Sequence, residues 1–242
     1  MRRPPDIQVM FKILPILLAV LYGLAVYRFS VWRTARMLDK QSTELSDPML
    51  NILTDRMATA LDLDRIPVYI YEVDVVNGLA VEDGRIFITR GFFNKYRQGD
   101  VSADEMASVI AHELGHVALG HARRRMIDFS GQNALRVVLI TVLNRFIPGV
   151  GVWIANVLMS LISARLSRSD EYEADAYAAA LLVKSGIGTE PQKTLFQKLA
   201  QITGNMSAGP PAWLLSHPKT EDRVKAIEDL ESRWDTPRLP ET

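Results

Sequence analysis

Positions 13–27 (ILPILLAVLYGLAVY) carry no charge, and Phe11 before them and Phe29 and Trp32 after them lengthen the apolar stretch. It reaches about the 20 residues that cross a bilayer. A single N-terminal transmembrane helix, within residues 1–38, is therefore expected. The alternative, a cleaved secretory signal, would need a small-x-small site after the apolar stretch, and no convincing one follows. Tyr22, Tyr27 and Trp32 instead have the place of interfacial aromatics. Orientation is left open, because Arg2, Arg3 and Lys12 precede the span and Arg28, Arg33, Arg36 and Lys40 follow it.

Residues 39–46 are polar and read as a linker. Asp47-Pro48 then has the form of a helix start, and Leu50, Leu53, Met57 and Leu61 recur at helical spacing. After Pro67 the period changes to that of strands: 68–73 is β-branched and aromatic, 79–81 resumes, and 85–89 follows. Asn77-Gly78 and Asp83-Gly84 supply the turns, so a small antiparallel sheet of about three strands is expected. Its edge is a place to hold an extended peptide through main-chain hydrogen bonds. Ser102 and Glu105 form a capping box that opens a helix with Met106, Val109, Ile110 and Val117 as its apolar stripe.

Residues 134–166 are strongly apolar but broken by Asn144-Arg145 and weakened as a span by Pro148, Gly149, Gly151 and Asn156. Helices that are buried or lie on a membrane surface fit this pattern better than a spanning hairpin. Ser167-Arg168-Ser169 reads as the opening of a further helix to Lys184. Thr189-Glu190-Pro191 opens another, and Thr220 begins a last amphipathic one on Val224, Ile227 and Leu230. One folded domain is expected over 47–234, with 235–242 as a disordered tail.

Composition removes some possibilities. Lys plus Arg and Asp plus Glu number 28 each, and a neutral chain is a poor general binder of nucleic acid. With no cysteine, any transition-metal site must use histidine and carboxylate.

Three of the four histidines fall in HELGHVALGH, residues 112–121. His112 and His116, one helical turn apart, direct two imidazoles at one point, and Glu113 flanks it as a base for an activated water. Glu113 falls inside the apolar stripe, where a carboxylate is costly unless paired or near a metal. Gly115 costs about 0.5–1 kcal/mol mid-helix relative to Ala, which suits a close approach of backbone or metal. An extended motif would place a third histidine six residues after His116, but His121 comes at five. It reads as structural or as a support for a ligand. A carboxylate from another helix should complete the site. Glu171 is the candidate, and Asp175, one turn on, would accept the remaining ring N–H of a ligand histidine. Glu173 points elsewhere on the wheel and is a weaker alternative.

HELGH at 112–116, SRSDEYEAD at 167–175 and SHPKTEDR at 216–223 together resemble the M48 family of zinc metalloendopeptidases, which includes membrane-associated proteases. Residues 76–80 and 89–93 extend the resemblance, which covers about 47–230 in order; Gly78 stands where alanine is usual. The resemblance implies an α+β, mainly α, gluzincin-type metallopeptidase domain. It also implies one zinc ion per chain on His112, His116 and Glu171, with Glu113 as acid/base and Asp175 behind a ligand. His217, held extended by Pro218, would cap the zinc or stabilise the oxyanion, the alternative being a turn histidine that packs the last helix, and Arg223 would anchor that loop through carbonyls or a carboxylate.

The expected activity is zinc-dependent hydrolysis of peptide bonds in membrane-associated or misfolded proteins. Expected partners are polypeptide substrates and a lipid membrane, with no nucleic acid. The competing reading is a membrane-anchored, zinc-binding, chaperone-like module without turnover.

Overall fold

The computed structural model describes residues 32–81, 83–121, 151–204 and 220–234, with Leu21, Ala25, Arg28, Phe29 and Ile140 as single positions. The chain divides into two compact units, 1–42 and 43–242. In the first, residues 32–40 are helical. Leu21, Ala25, Arg28 and Phe29 are helical as well, and the other residues of the expected anchor lie outside the described residues. Among those that are described, no helix is long and apolar enough to cross a membrane.

The second unit is mainly helical with one small sheet. Its elements are β1 (Ser42–Glu44), α1 (Pro48–Ala60), β2 (Val68–Tyr71), β3 (Gly78–Ala80), β4 (Ile86–Thr89), α2 (Arg90–Arg97), α3 (Ala103–Ala118), α4 (Gly151–Lys184), α5 (Glu190–Gly204) and α6 (Thr220–Trp234). β1 falls within the stretch read as a linker. Asp47 caps α1 as its sequence signal predicts, accepting from Met49 N and Leu50 N at 3.1 Å.

The sheet corrects the expectation of an antiparallel one. It is mixed and four-stranded, in the order β1-β2-β4-β3. β4 is inserted between β2 and β3, parallel to β2 (Val68 opposite Ile86) and antiparallel to β3 (Leu79 opposite Phe87). The link after β2 carries the chain past the place β4 will fill, and the β3–β4 hairpin then folds back into it. β4 is buried at all four positions, as a central strand should be, and β3 is left as an outer strand. Thr89 ends β4 and caps α2, a helix that no periodicity announced. Its hydroxyl lies 2.6 Å from Val75 O and accepts from Asn77 N at 2.9 Å, which pins the crossing link.

α3 is the hub, packing on α4, α1, α5 and β3. Met106, Ile110, Ala107 and Ala111 bury fully against a core that includes Leu50, Met57, Phe92 and Leu182. Each large apolar side chain so buried contributes roughly 1.5–3 kcal/mol. The start of α3 is fixed by the capping box: Ser102 Oγ accepts from Glu105 N at 3.1 Å, and Glu105 Oε2 accepts from Ser102 N at 2.8 Å. Glu105 also accepts from Lys198 Nζ and Thr194 Oγ1 of α5, each at 2.9 Å. Burial pushes this carboxyl up, but the Ser102 N–H, Lys198 and Thr194 outweigh that and hold it below its ordinary value. A depressed carboxylate stabilises the fold above its unfolded pKa and loses that contribution as pH falls through the lower folded value. Glu105→Gln is thus expected to cost about 1–2 kcal/mol at pH 7, and urea unfolding should show the deficit shrinking well below pH 4.

α4 corrects a second expectation. Ser167-Arg168-Ser169 does not open a helix; α4 runs unbroken for 34 residues from Gly151. A hydroxyl at an N-cap position starts a helix only where no turn precedes it, and the residues just upstream contain neither Gly nor Pro.

Candidate metal centre

α3 and α4 meet where the HELGH stretch faces the middle of α4. Gly115 makes that approach possible: a Cβ there would stand 2.9 Å from Ala174 O and 3.1 Å from Ala174 Cα. Both atoms are backbone, so any side chain at 115 would push the helices apart. Gly115→Ala, although it improves helix propensity by about 1 kcal/mol, is expected to destabilise the fold by about 1–3 kcal/mol. It should also loosen metal binding. Equal urea midpoints for the two proteins would contradict so close a contact.

This contact brings His112, His116 and Glu171 together, with one ligand atom of each lying within 4.8 Å of the others. His112 Nε2 and His116 Nε2 are 3.1 Å apart. Glu171 Oε2 is 3.4 Å from the first, and Glu171 Oε1 is 3.5 Å from the second. Ligands at 2.0–2.1 Å around a tetrahedral zinc stand about 3.3–3.4 Å from one another. Two imidazoles and one carboxylate at these spacings fit a divalent metal of the zinc type. His112 and Glu171 are buried, and His116 keeps a little exposure.

Behind His112 stands a buried chain of groups. His112 Nδ1 is 2.9 Å from Asp175 Oδ1. Arg223 of α6 donates from Nε to Asp175 Oδ2 and from Nη2 to Asp175 Oδ1, both at 2.6 Å. Its guanidinium lies over the Phe196 ring, 4.2 Å from the centroid, and Gln192 Nε2 lies 3.3 Å from Asp175 O. Burial pushes the Asp175 carboxyl up, but Arg223 and the hydrogen bond from His112 outweigh it and keep it ionised. For His112, burial lowers the pKa, while the hydrogen bonds with Asp175 and Glu171 overcome that and raise it to about 9. His116 moves the other way, lowered mainly by burial.

Glu113 is buried beside β3: a Cβ on Gly78 would lie 3.2 Å from Glu113 Oε1 and 3.0 Å from Val109 Cγ1. The edge strand and the carboxylate are therefore neighbours. Glu173, the weaker alternative ligand, is not in the metal group; its Oε2 is 3.5 Å from His121 Nε2. His121 is buried, with Nδ1 2.7 Å from His116 Nδ1. His217 lies outside the described residues. Arg223 bonds the carboxylate of Asp175, and the loop at 216–219 that it was expected to anchor lies outside the described residues. Phe196 and Gln192 gave no sequence signal beyond helix periodicity.

A mainly helical body in which one helix supplies two histidines and a glutamate, and a second helix a further glutamate, has the framework of a metallopeptidase. The model of peptidase family M48 matches residues 44–231, and the chain belongs to that family. The chain is 30% identical over 160 residues to the metalloprotease LoiP of Escherichia coli K12, covering 66% of this chain and 60% of LoiP. It is 29% identical over 202 residues to a putative beta-barrel assembly-enhancing protease of Vibrio cholerae, covering 78% and 40%. Against the mitochondrial metalloendopeptidase OMA1 of Danio rerio it is 24% identical over 213 residues, covering 81% and 44%. The match thus spans about half the length of these relatives.

Proposed function

We propose that the chain is a zinc-dependent endopeptidase that cleaves membrane-associated or misfolded polypeptides, with residues 1–38 as its membrane anchor. The observation that carries the proposal is the trio His112, His116 and Glu171 at ligand spacing, with Glu113 on the same helix beside an outer strand. His112 and His116 offer Nε2 and Glu171 a carboxylate oxygen to the ion. Zinc held there supplies Lewis acidity, which polarises a carbonyl and acidifies water.

The remaining steps belong to this chain's own groups. Glu113 takes the proton of the attacking water and delivers it to the leaving amine nitrogen. Asp175 receives the Nδ1–H of His112, which fixes the ring and leaves Nε2 as the donor atom. Arg223 holds Asp175 ionised and in place. An extended substrate adds to β3, where main-chain hydrogen bonds would lay a peptide bond beside Glu113. His217 donates to the carbonyl oxygen as it gains charge. A retained catalytic carboxylate at 113 favours this reading over a non-cleaving zinc module, which has no use for a base.

Elemental analysis of the purified full chain tests the metal. One zinc per chain is expected, lost when His116 and Glu171 are replaced together by Ala and Gln. Zinc retained by that double variant would place the ion elsewhere.

A further inference from the structure

The two histidines of the metal site are backed by different groups. His112 rests on Asp175 and Arg223, whereas His116 meets a third imidazole, that of His121. His121 has no role in the proposed chemistry, yet its residue is only 1% exposed. Histidine is seldom buried so fully without a polar reason.

Its position follows from the end of α3. The helix finishes at Ala118, Leu119 caps it, and Gly120 adopts a φ of 64°. That left-handed turn is the ordinary C-terminal stop. It swings His121 back so that its ring meets His116 edge-on, with centroids 4.9 Å apart and an interplanar angle of 71°. The Nδ1–Nδ1 separation is 2.7 Å, a hydrogen-bond distance that requires one ring to donate and the other to accept.

We propose that His121 is the positioning residue for His116, accepting its Nδ1–H and so fixing its tautomer and tilt; this rests on the metal site proposed above. A ligand that offers Nε2 must carry its proton on Nδ1. His116 is then the donor, and His121 Nδ1 is the acceptor. A neutral His121 that accepts at Nδ1 carries its own proton on Nε2. That nitrogen faces carboxylates of α4, with Glu173 Oε2 at 3.5 Å and Asp170 Oδ1 at 4.0 Å. The order of protons thus runs from His116 through His121 toward Asp170 and Glu173. α4 thus backs His112 directly through Asp175 and places two carboxylates, those of Glu173 and Asp170, on the far side of His121 from His116.

Chelator competition on the full chain reads zinc affinity for wild type, His121→Phe and His121→Asn. The Phe variant fills the space without an acceptor and should bind zinc about 10–100-fold more weakly. The Asn variant puts an amide oxygen near the place of Nδ1 and should stay within about threefold of wild type. Phe binding as tightly as wild type, or Asn as weakly as Phe, would overturn the role. A merely packing role would favour Phe over Asn. Wild type that takes up no zinc would remove the metal site itself, and His121's role with it, whereas a zinc-binding wild type with indifferent variants removes only the latter. If His121→Phe does not fold, ring ¹⁵N shifts of the zinc-loaded wild type decide. His121 protonated on Nε2 supports the assignment, and His121 protonated on Nδ1 refutes it.

Discussion

Glu113→Gln should lower the rate of polypeptide cleavage by about 10²–10⁴-fold while leaving zinc bound. Gln keeps the shape of the side chain beside Gly78 and Val109, so packing under β3 should survive. What it loses is the ability to take a proton from water and give it to the departing amine. The substitution also removes a negative charge from a buried region that holds Glu171, Asp175 and Arg223. The variant should therefore be no less stable than wild type, which separates a catalytic loss from a folding loss. Cleavage and zinc content, measured on the same preparation, check it. Cleavage at the wild-type rate would show that Glu113 is not the base.

Arg223→Met should destabilise the fold by about 3–5 kcal/mol, because Asp175 would be left as an uncompensated buried charge. Asp175 and Arg223 are each 1% exposed, so water cannot replace the missing partner. The same change should weaken zinc binding, since Asp175 would no longer be pinned against His112 Nδ1. Adding Asp175→Asn should recover part of the loss, because the pair would then be neutral. Urea unfolding of the two single variants and the double variant measures the coupling, and strictly additive effects would contradict it. The ion pair also ties α6 to α4, which carries Glu171 of the candidate metal group, so the last helix of the domain is a structural partner of that site.

Much of this site was readable from residue spacing. The i, i+4 relation of His112 and His116 and that of Glu171 and Asp175 each put two groups on one helix face, and His121, one residue short of the extended motif, leaves the third ligand to a second helix. Ser102 and Glu105 announced the start of α3, and Gly115 announced the helix contact through its cost. The sheet was harder. Strand periodicity tells which residues alternate, not which strands become neighbours, and the insertion of β4 between β2 and β3 is a long-range choice. α2 is a single short helix whose Thr89 cap looks, in sequence, like the end of a strand. The unbroken α4 shows that a capping signal has meaning only with a helix boundary beside it. The contact of His121 with His116 depends on the direction of one turn at Gly120, which spacing alone does not set.

Hydrolysis of peptide bonds by this chain, as proposed, depends on a zinc ion held by His112, His116 and Glu171. The most direct measurement is cleavage of an unfolded polypeptide by the purified full chain, before chelation, after it, and after zinc is returned. Cleavage that disappears with the chelator and reappears with zinc is the predicted result. Cleavage indifferent to the chelator, or none from a folded, zinc-loaded chain, would contradict the account.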